Sequence, residues 1–188
     1  MRRVRVFENV SLDGYFCDER GDMSWAHRSD PEWNTFVAEN ASGESQLVFG
    51  RVTYQMMAGY WPTPMAFQQN PRVAERMSAT KKYVCSRSLS AADLGWQNSE
   101  LVSDLVSGVQ ALKREAGPDL VILGSGSLVA QLSEAGLVDE YQVVLQPIVL
   151  GKGKSLFSGV THRIPLTLKR SRCFGNGNAV LWYEPSVG

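Results

Sequence analysis

Three short stretches place small residues, hydroxyls or an arginine directly after an apolar run: Phe49-Gly50-Arg51-Val52-Thr53, Cys85-Ser86-Arg87-Ser88 and Leu123-Gly124-Ser125-Gly126-Ser127. This chemistry suits phosphate. Glycine lets an oxyanion approach the backbone, and the N–H groups at a helix start carry the positive end of the dipole. Arg51 and Arg87 can each add charge-assisted hydrogen bonds. A glycine after a strand is by itself an ordinary turn, and an arginine there is ordinarily solvated. Three junctions of matched chemistry together imply a nucleotide-type ligand with several phosphates. Simpler motifs do not fit. Gly124 and Gly126 lack the third glycine of the dinucleotide fingerprint, because Val129 stands there. Gly153-Lys154-Ser155 ends like a P-loop, but Ile148 holds the place of its first glycine. No GxSxG elbow occurs, which argues against an α/β-hydrolase.

The elements that would carry these junctions follow from periodicity. Arg3 to Val10 alternates as a strand, and Ser11 to Ser29 reads as a long loop. A helix starts near Asp30-Pro31 with Trp33, Phe36 and Val37 inward. Gln46 to Phe49 is a strand, and Arg51 to Tyr60 a helix with Tyr54, Met57 and Ala58 on one side. Trp61 to Asn70, with Pro62 and Pro64, reads as a loop, and Pro71 to Thr80 as a helix. Lys82 to Cys85 is a strand, Leu101-Val102 a short edge strand, and Asp104 caps a helix to Glu115. Leu120 to Leu123 is a continuous apolar run, as in a strand covered on both faces, and Ser127 to Glu134 is a helix. The last third changes character. Glu140 to Val149 reads as a long strand, Ile164, Leu166 and Leu168 alternate, and Asn176-Gly177 signals a hairpin before Ala179 to Tyr183. The expected fold class is α/β: a mixed, mostly parallel central sheet flanked by helices, with antiparallel C-terminal strands. In such a sheet the three junctions share the carboxyl edge, where ligands bind.

Composition narrows the function. The 188 residues suit a single domain, spanning 1–188. Nineteen basic residues balance nineteen acidic ones, which disfavours a nucleic-acid or anionic-membrane binder. No apolar run reaches membrane-spanning length, and Met1 to Phe7 lacks a signal-peptide core, so a cytoplasmic protein is expected. Three scattered cysteines and two histidines imply neither a disulfide framework nor a metal site. Cys85 reads as a buried hydrophobe, His27 as a solvated loop residue, and Lys152 and Lys154 as surface lysines or an anion contact.

One ordered set of motifs carries a resemblance. Val10-Ser11-Leu12-Asp13-Gly14 is followed by Gly50-Arg51-Val52-Thr53-Tyr54, Ser86-Arg87-Ser88, Gly124-Ser125-Gly126-Ser127, Ala135-Gly136-Leu137-Val138-Asp139-Glu140 and Pro147-Ile148-Val149-Leu150-Gly151-Lys152-Gly153. From about Arg3 to Glu184 the chain resembles the dihydrofolate reductase superfamily, in the branch of the reductase domain of bacterial riboflavin biosynthesis. The resemblance implies a dihydrofolate-reductase-like fold with NADPH across the carboxyl edge of the sheet. Gly50, Arg51 and Thr53 would meet the adenosine side and the pyrophosphate, and Ser86 and Arg87 the 2′-phosphate. Gly124, Ser125, Gly126 and Ser127 would hold the pyrophosphate, and Leu12, Asp13 and Gly14 would border the nicotinamide. Two arginines near one phosphate would favour NADPH over NADH. Asp30 would supply the catalytic proton or merely cap its helix, and Asp13 would act in catalysis or merely shape a turn. Trp25, Trp61 and Phe157 are candidates for the substrate wall, with core packing as the plainer alternative. The zinc deaminase domain that accompanies many riboflavin reductases has no counterpart in these residues. The expected activity is therefore NADPH-dependent reduction of a small heterocyclic (pyrimidine- or pterin-like) or carbonyl/imine substrate by a homodimer joined through its antiparallel tail. The alternatives are a non-catalytic NADPH-binding or sensing protein and a structural dimer without cofactor.

Overall fold

The structure, a computed structural model, describes residues 1–41 and 43–186. Its frame is an eight-stranded sheet in the order β5-β4-β3-β6-β1-β7-β10-β9. The strands are β1 (Val4–Ser11), β3 (Gln46–Gly50), β4 (Lys82–Cys85), β5 (Ser99–Val102), β6 (Leu120–Leu123), β7 (Glu140–Gln146), β9 (Leu166–Cys173) and β10 (Ala179–Pro185). Pairing is parallel from β5 through β7 and antiparallel for β10 and β9, as the alternation of helical and strand patterns implies. A separate two-stranded ribbon joins β2 (Tyr15–Cys17) to β8 (Lys154–Ser155).

Alternation within the strands divides the core. Val4, Val6 and Val10 of β1 and Leu120 and Ile122 of β6 pack under α5 (Leu105–Arg114) and α6 (Gly126–Glu134). The opposite face carries two clusters. Trp33 and Phe36 of α1 (Pro31–Ala41) pack on Val144, Val180 and Trp182. Tyr54 of α2 (Arg51–Tyr60) and Met77 of α4 (Pro71–Ala79) pack on Leu47, Phe49, Val84 and Trp96.

Four local expectations need correction. Residues 61–70 are not all loop: Thr63 accepts the Ala66 N–H and Pro64 opens the short helix α3 (Pro64–Gln69), so a turn signal is a helix start. The loop 11–29 contains β2 and a 3-10 turn at Ser24–Ala26. β7 stops at Gln146, because Pro147 has no N–H to continue the ladder. The alternation that begins at Ile164 becomes a strand only from Leu166, and β9 is exposed along its whole length at the sheet edge.

Candidate functional site

β3 and β6 are neighbours in the sheet, yet their chains leave it on opposite faces. β3 enters α2, which packs with Leu47 and Phe49. β6 enters α6, which packs with Val48 and Ile122. This is a topological switch point, the place where open α/β sheets put a ligand crevice between the two departing chains. Both helix N-termini meet in it. Ser125 Oγ accepts from the Gly50 N–H at 2.9 Å and donates to Thr53 Oγ1 at 2.8 Å. Gly124 packs so closely that an added Cβ would lie 3.1 Å from Thr53 Cγ2. Gly124 and Ser125 both hold a positive φ, of 66° and 67°. For serine that conformation is costly, and its hydroxyl bridge between the junctions is what it gains.

The termini share a second feature. Among the described residues, no side chain caps α2 or α6, and neither first turn contains an acidic residue. Instead Arg51 occupies the first turn of α2, where the dipole already disfavours a cation. It is exposed, with Nη1 donating to Gln55 Oε1 at 3.2 Å. An anion in the crevice would relieve both deficits. The third junction lies alongside, since Gly50 pairs with Cys85 in register. There Ser86 Oγ accepts the N–H groups of Ser88 and Leu89, and the Asp104 carboxyl is held below its usual range first by hydrogen bonds from Ser107 and then by the charge of Arg87. Burial pushes the Cys85 thiol up to about 12, so it is an inert core group, as its apolar run indicates.

Gly126 also has a packing role. The Phe16 ring of β2 sits on it, 2.4 Å from where a Cβ would be. Gly126 is buried there and makes room for an aromatic ring. Ser127, one residue further, stays exposed on the first turn.

At the nicotinamide end expected for this edge, β1 runs out through Ser11 into Leu12, which is 63% exposed. Asp13 is a clamp. Its Oδ1 accepts from Ser11 Oγ (2.6 Å) and the Leu150 N–H (3.1 Å), and its Oδ2 from the Gly151 N–H (2.8 Å). The Ser11 bond above all holds its carboxyl below the usual range. Asp13 pins the 11–15 turn to the 147–151 turn. Gly14 holds φ 85° in that turn, which a side chain would strain. Asp30 accepts the Trp33 N–H with Oδ1 (2.9 Å) and the Asn176 N–H with Oδ2 (3.0 Å). It caps α1 and ties it to the β9–β10 hairpin.

The three aromatics expected in a substrate wall lie apart in the fold. Trp25 is half-buried in the 3-10 turn next to Ala26, whose carbonyl meets Gln146 at the end of β7. Trp61 follows the last residue of α2, about 15 Å from the crevice at 1.5 Å per residue. It donates to Met57 Sδ and packs on Tyr60, as a rim residue of the core. Phe157 sits edge-on to Tyr141, near the start of β7. Neither reaches the edge where β1, β3 and β6 end.

The residues overlooked in the sequence are the polar ones in the sheet's interior. Glu8 is 1% exposed on the central strand, and burial pushes its carboxyl up to about 8. Asn9, Gln146 and Asn178 gather on the α1 face, with Gln146 Nε2 donating to Asn9 Oδ1 at 2.9 Å. One signal existed: Gln142 and Gln146 alternate with Val144 in a strand whose faces should both be apolar.

The sequence profile of the RibD C-terminal domain matches residues 2–180. Among curated proteins, the uncharacterized proteins YyaP and YwjB of Bacillus subtilis (strain 168) are 28% and 26% identical to the chain. These matches cover 97% of this chain and 95% of YyaP, and 93% of this chain and 93% of YwjB. Among solved structures, a Shewanella sp. PV-4 protein named for riboflavin biosynthesis superposes with TM-score 0.73 at 23% identity, covering 98% of this chain and 99% of that one. A pyrimidine reductase-like protein of Corynebacterium diphtheriae gives 0.67 at 16%, covering 100% and 93%. The diaminohydroxyphosphoribosylaminopyrimidine deaminase/5-amino-6-(5-phosphoribosylamino)uracil reductase of Thermotoga maritima gives 0.69 at 14%, covering 98% of this chain and 57% of that one.

Proposed function

Because the chain belongs to the RibD C-terminal domain family, we propose that it is a single-domain NADPH-dependent reductase of a small heterocyclic or carbonyl/imine substrate. The observation that carries this reading is the switch-point crevice, where two uncapped, acid-free helix N-termini are tied together by the Ser125 hydroxyl. Such a crevice fits a pyrophosphate. Gly50, Thr53, Gly124, Ser125 and Ser127 would surround it, with Gly126 acting through Phe16. Arg51, on the adenosine side, would reach the 2′-phosphate together with Ser86 and Arg87. Leu12 and Gly14 would border the nicotinamide. NADPH, when bound, supplies the hydride. The chain's own task is to orient the acceptor, exclude water and deliver a proton. Asp30 is the carboxyl at the substrate side, where the α1 cap meets the hairpin. Trp25 stands nearest as a wall.

One observation favours a second reading, a protein that binds NADPH without turnover: both oxygens of Asp13 and of Asp30 already accept hydrogen bonds. The exposed strand β9, with Leu166 38% and Leu168 50% exposed, suits the homodimer contact through the tail. No helix among the described residues is long and apolar enough to cross a membrane, and a cytoplasmic reductase with a small-molecule substrate fits that.

The test is Arg51→Ala titrated with both cofactors. Losing a charge-assisted phosphate contact should weaken NADPH binding by about 1.5–3 kcal/mol. NADH binding should change far less. Equal losses for the two cofactors would remove Arg51 from the 2′-phosphate.

A further inference from the structure

The amino edge of the sheet carries a cleft of about 460 Å³, at the opposite end of the strands from the crevice. It lies where β7 starts and β10 ends. The eight residues of β1, at about 3.3 Å each, put roughly 20 Å between the two places. Gly136, at φ 65°, turns the chain out of α6, so the last turn of α6 stands beside the first residues of β7. Tyr141 reaches back across this corner and donates to Ser133 Oγ at 2.8 Å. Val138 and Tyr141, both buried, form an apolar floor.

The opposite wall is the segment 161–165, and it is braced at both ends. The Glu134 carboxylate, in the last turn of α6, accepts from the Thr161 N–H at 2.9 Å and from Thr161 Oγ1, and His162 Nδ1 lies 3.1 Å from it. The Thr161 bonds above all hold Glu134 below the usual carboxylate range. At the other end the Pro165 carbonyl accepts the Ser186 N–H at 2.8 Å. Arg163 sits between these braces and lines the cleft. Among the described residues its guanidinium has no ion-pair partner. The carboxylates that line the cleft are engaged. Glu184 pairs with Arg3 at 2.6 Å and Lys169 at 3.5 Å, and Asp139 with Lys113 at 2.5 Å and the Val4 N–H at 2.7 Å. Among the described residues, the uncompensated charge facing the cleft is therefore positive.

We propose that this cleft is a binding site for a small organic acid, separate from the cofactor crevice, in which Arg163 takes the carboxylate and Val138, Tyr141, Ile164 and Pro165 hold an apolar body. A planar carboxylate matches the guanidinium fork in a two-bond pairing. Its single charge also matches the single free cation. A phosphate dianion would bring a second negative charge against Glu184 and Asp139. The volume lies within the range of small-molecule sites, roughly 300–1,000 Å³. The site stands on Arg163 and its surroundings and is independent of the reductase reading.

The experiment is saturation-transfer NMR on the full chain, with benzoate as the probe, benzamide and acetate as controls and inorganic phosphate as a competitor. Benzoate should bind saturably. Benzamide, which keeps the ring and loses the charge, should bind at least roughly 10-fold more weakly. Acetate, which keeps the charge and loses the ring, should also bind more weakly. Arg163 is exposed, so Arg163→Gln should fold normally, and it should weaken benzoate binding by at least roughly 10-fold. Saturating NADPH should leave benzoate affinity unchanged, because the crevice lies at the other end of the strands. No saturable benzoate binding, equal binding of benzamide, or unchanged affinity in Arg163→Gln would each overturn the proposal. Acetate or phosphate binding as tightly as benzoate would overturn the ligand class. Loss of benzoate on saturation with NADPH would put the probe in the crevice and overturn the separate site, while leaving the reductase reading intact.

Discussion

Glu8 gives the sharpest physical test of the sheet beneath the site. It is fully buried on the central strand, with Oε2 unpartnered among the described residues. The perturbation is Glu8→Gln, which keeps the shape and removes the ionisation. An unfolded glutamate ionises near 4.5, whereas in the folded chain burial raises the value to about 8. Below the unfolded value both states are protonated, and the group's full stability is present. As pH rises towards about 8, the unfolded state binds fewer protons and stability falls; above that it is level. The gap of about 3.5 pH units, at about 1.4 kcal/mol each, sets the loss at no more than about 5 kcal/mol. That is a large part of a typical domain's stability. Urea unfolding of both proteins at about pH 5, 7 and 9 measures it. The variant should be near wild type at the acid end and progressively more stable than it towards the alkaline end. Parallel pH profiles would refute a buried, neutral Glu8.

Two further substitutions probe the site directly. Gly126→Ala should displace the Phe16 ring, which lies 2.4 Å from the new Cβ, and cost about 1–3 kcal/mol in urea unfolding. A loss below about 0.5 kcal/mol would mean that the β2 ribbon shifts freely. Asp30→Asn should leave cofactor affinity intact while lowering turnover, because asparagine still caps a helix but delivers no proton. It should also cost about 1 kcal/mol, since one amide oxygen cannot replace the two carboxylate oxygens that hold Trp33 and Asn176. Undiminished turnover of a reducible substrate would reduce Asp30 to a cap and a tie.

The junctions were legible because each combines a strong apolar run with a local break, and local patterns survive folding. The same logic found α1, α5 and a mostly parallel sheet with antiparallel C-terminal strands. It failed where partners are distant. β2 exists only by pairing with β8 across the chain. Asp13 reads as a turn residue until Leu150 and Gly151 arrive, and Asp30 as a local cap until Asn176 does. Trp61 was misplaced although its helix was correct, because an aromatic among prolines resembles a loop wall. The direction of α2 away from the crevice puts it at the wrong end. Gly126 sits in a phosphate-type motif but is required by a ring that no local pattern announces.

The central claim is that the crevice between α2 and α6 holds NADPH. Titrating the protein with NADPH and, separately, NADH while exciting its five tryptophans tests it most directly. Trp25, half-buried beside the expected nicotinamide end, should transfer energy to a bound nicotinamide. The account predicts saturable quenching with tighter binding of NADPH than of NADH. Binding of neither nucleotide would contradict it.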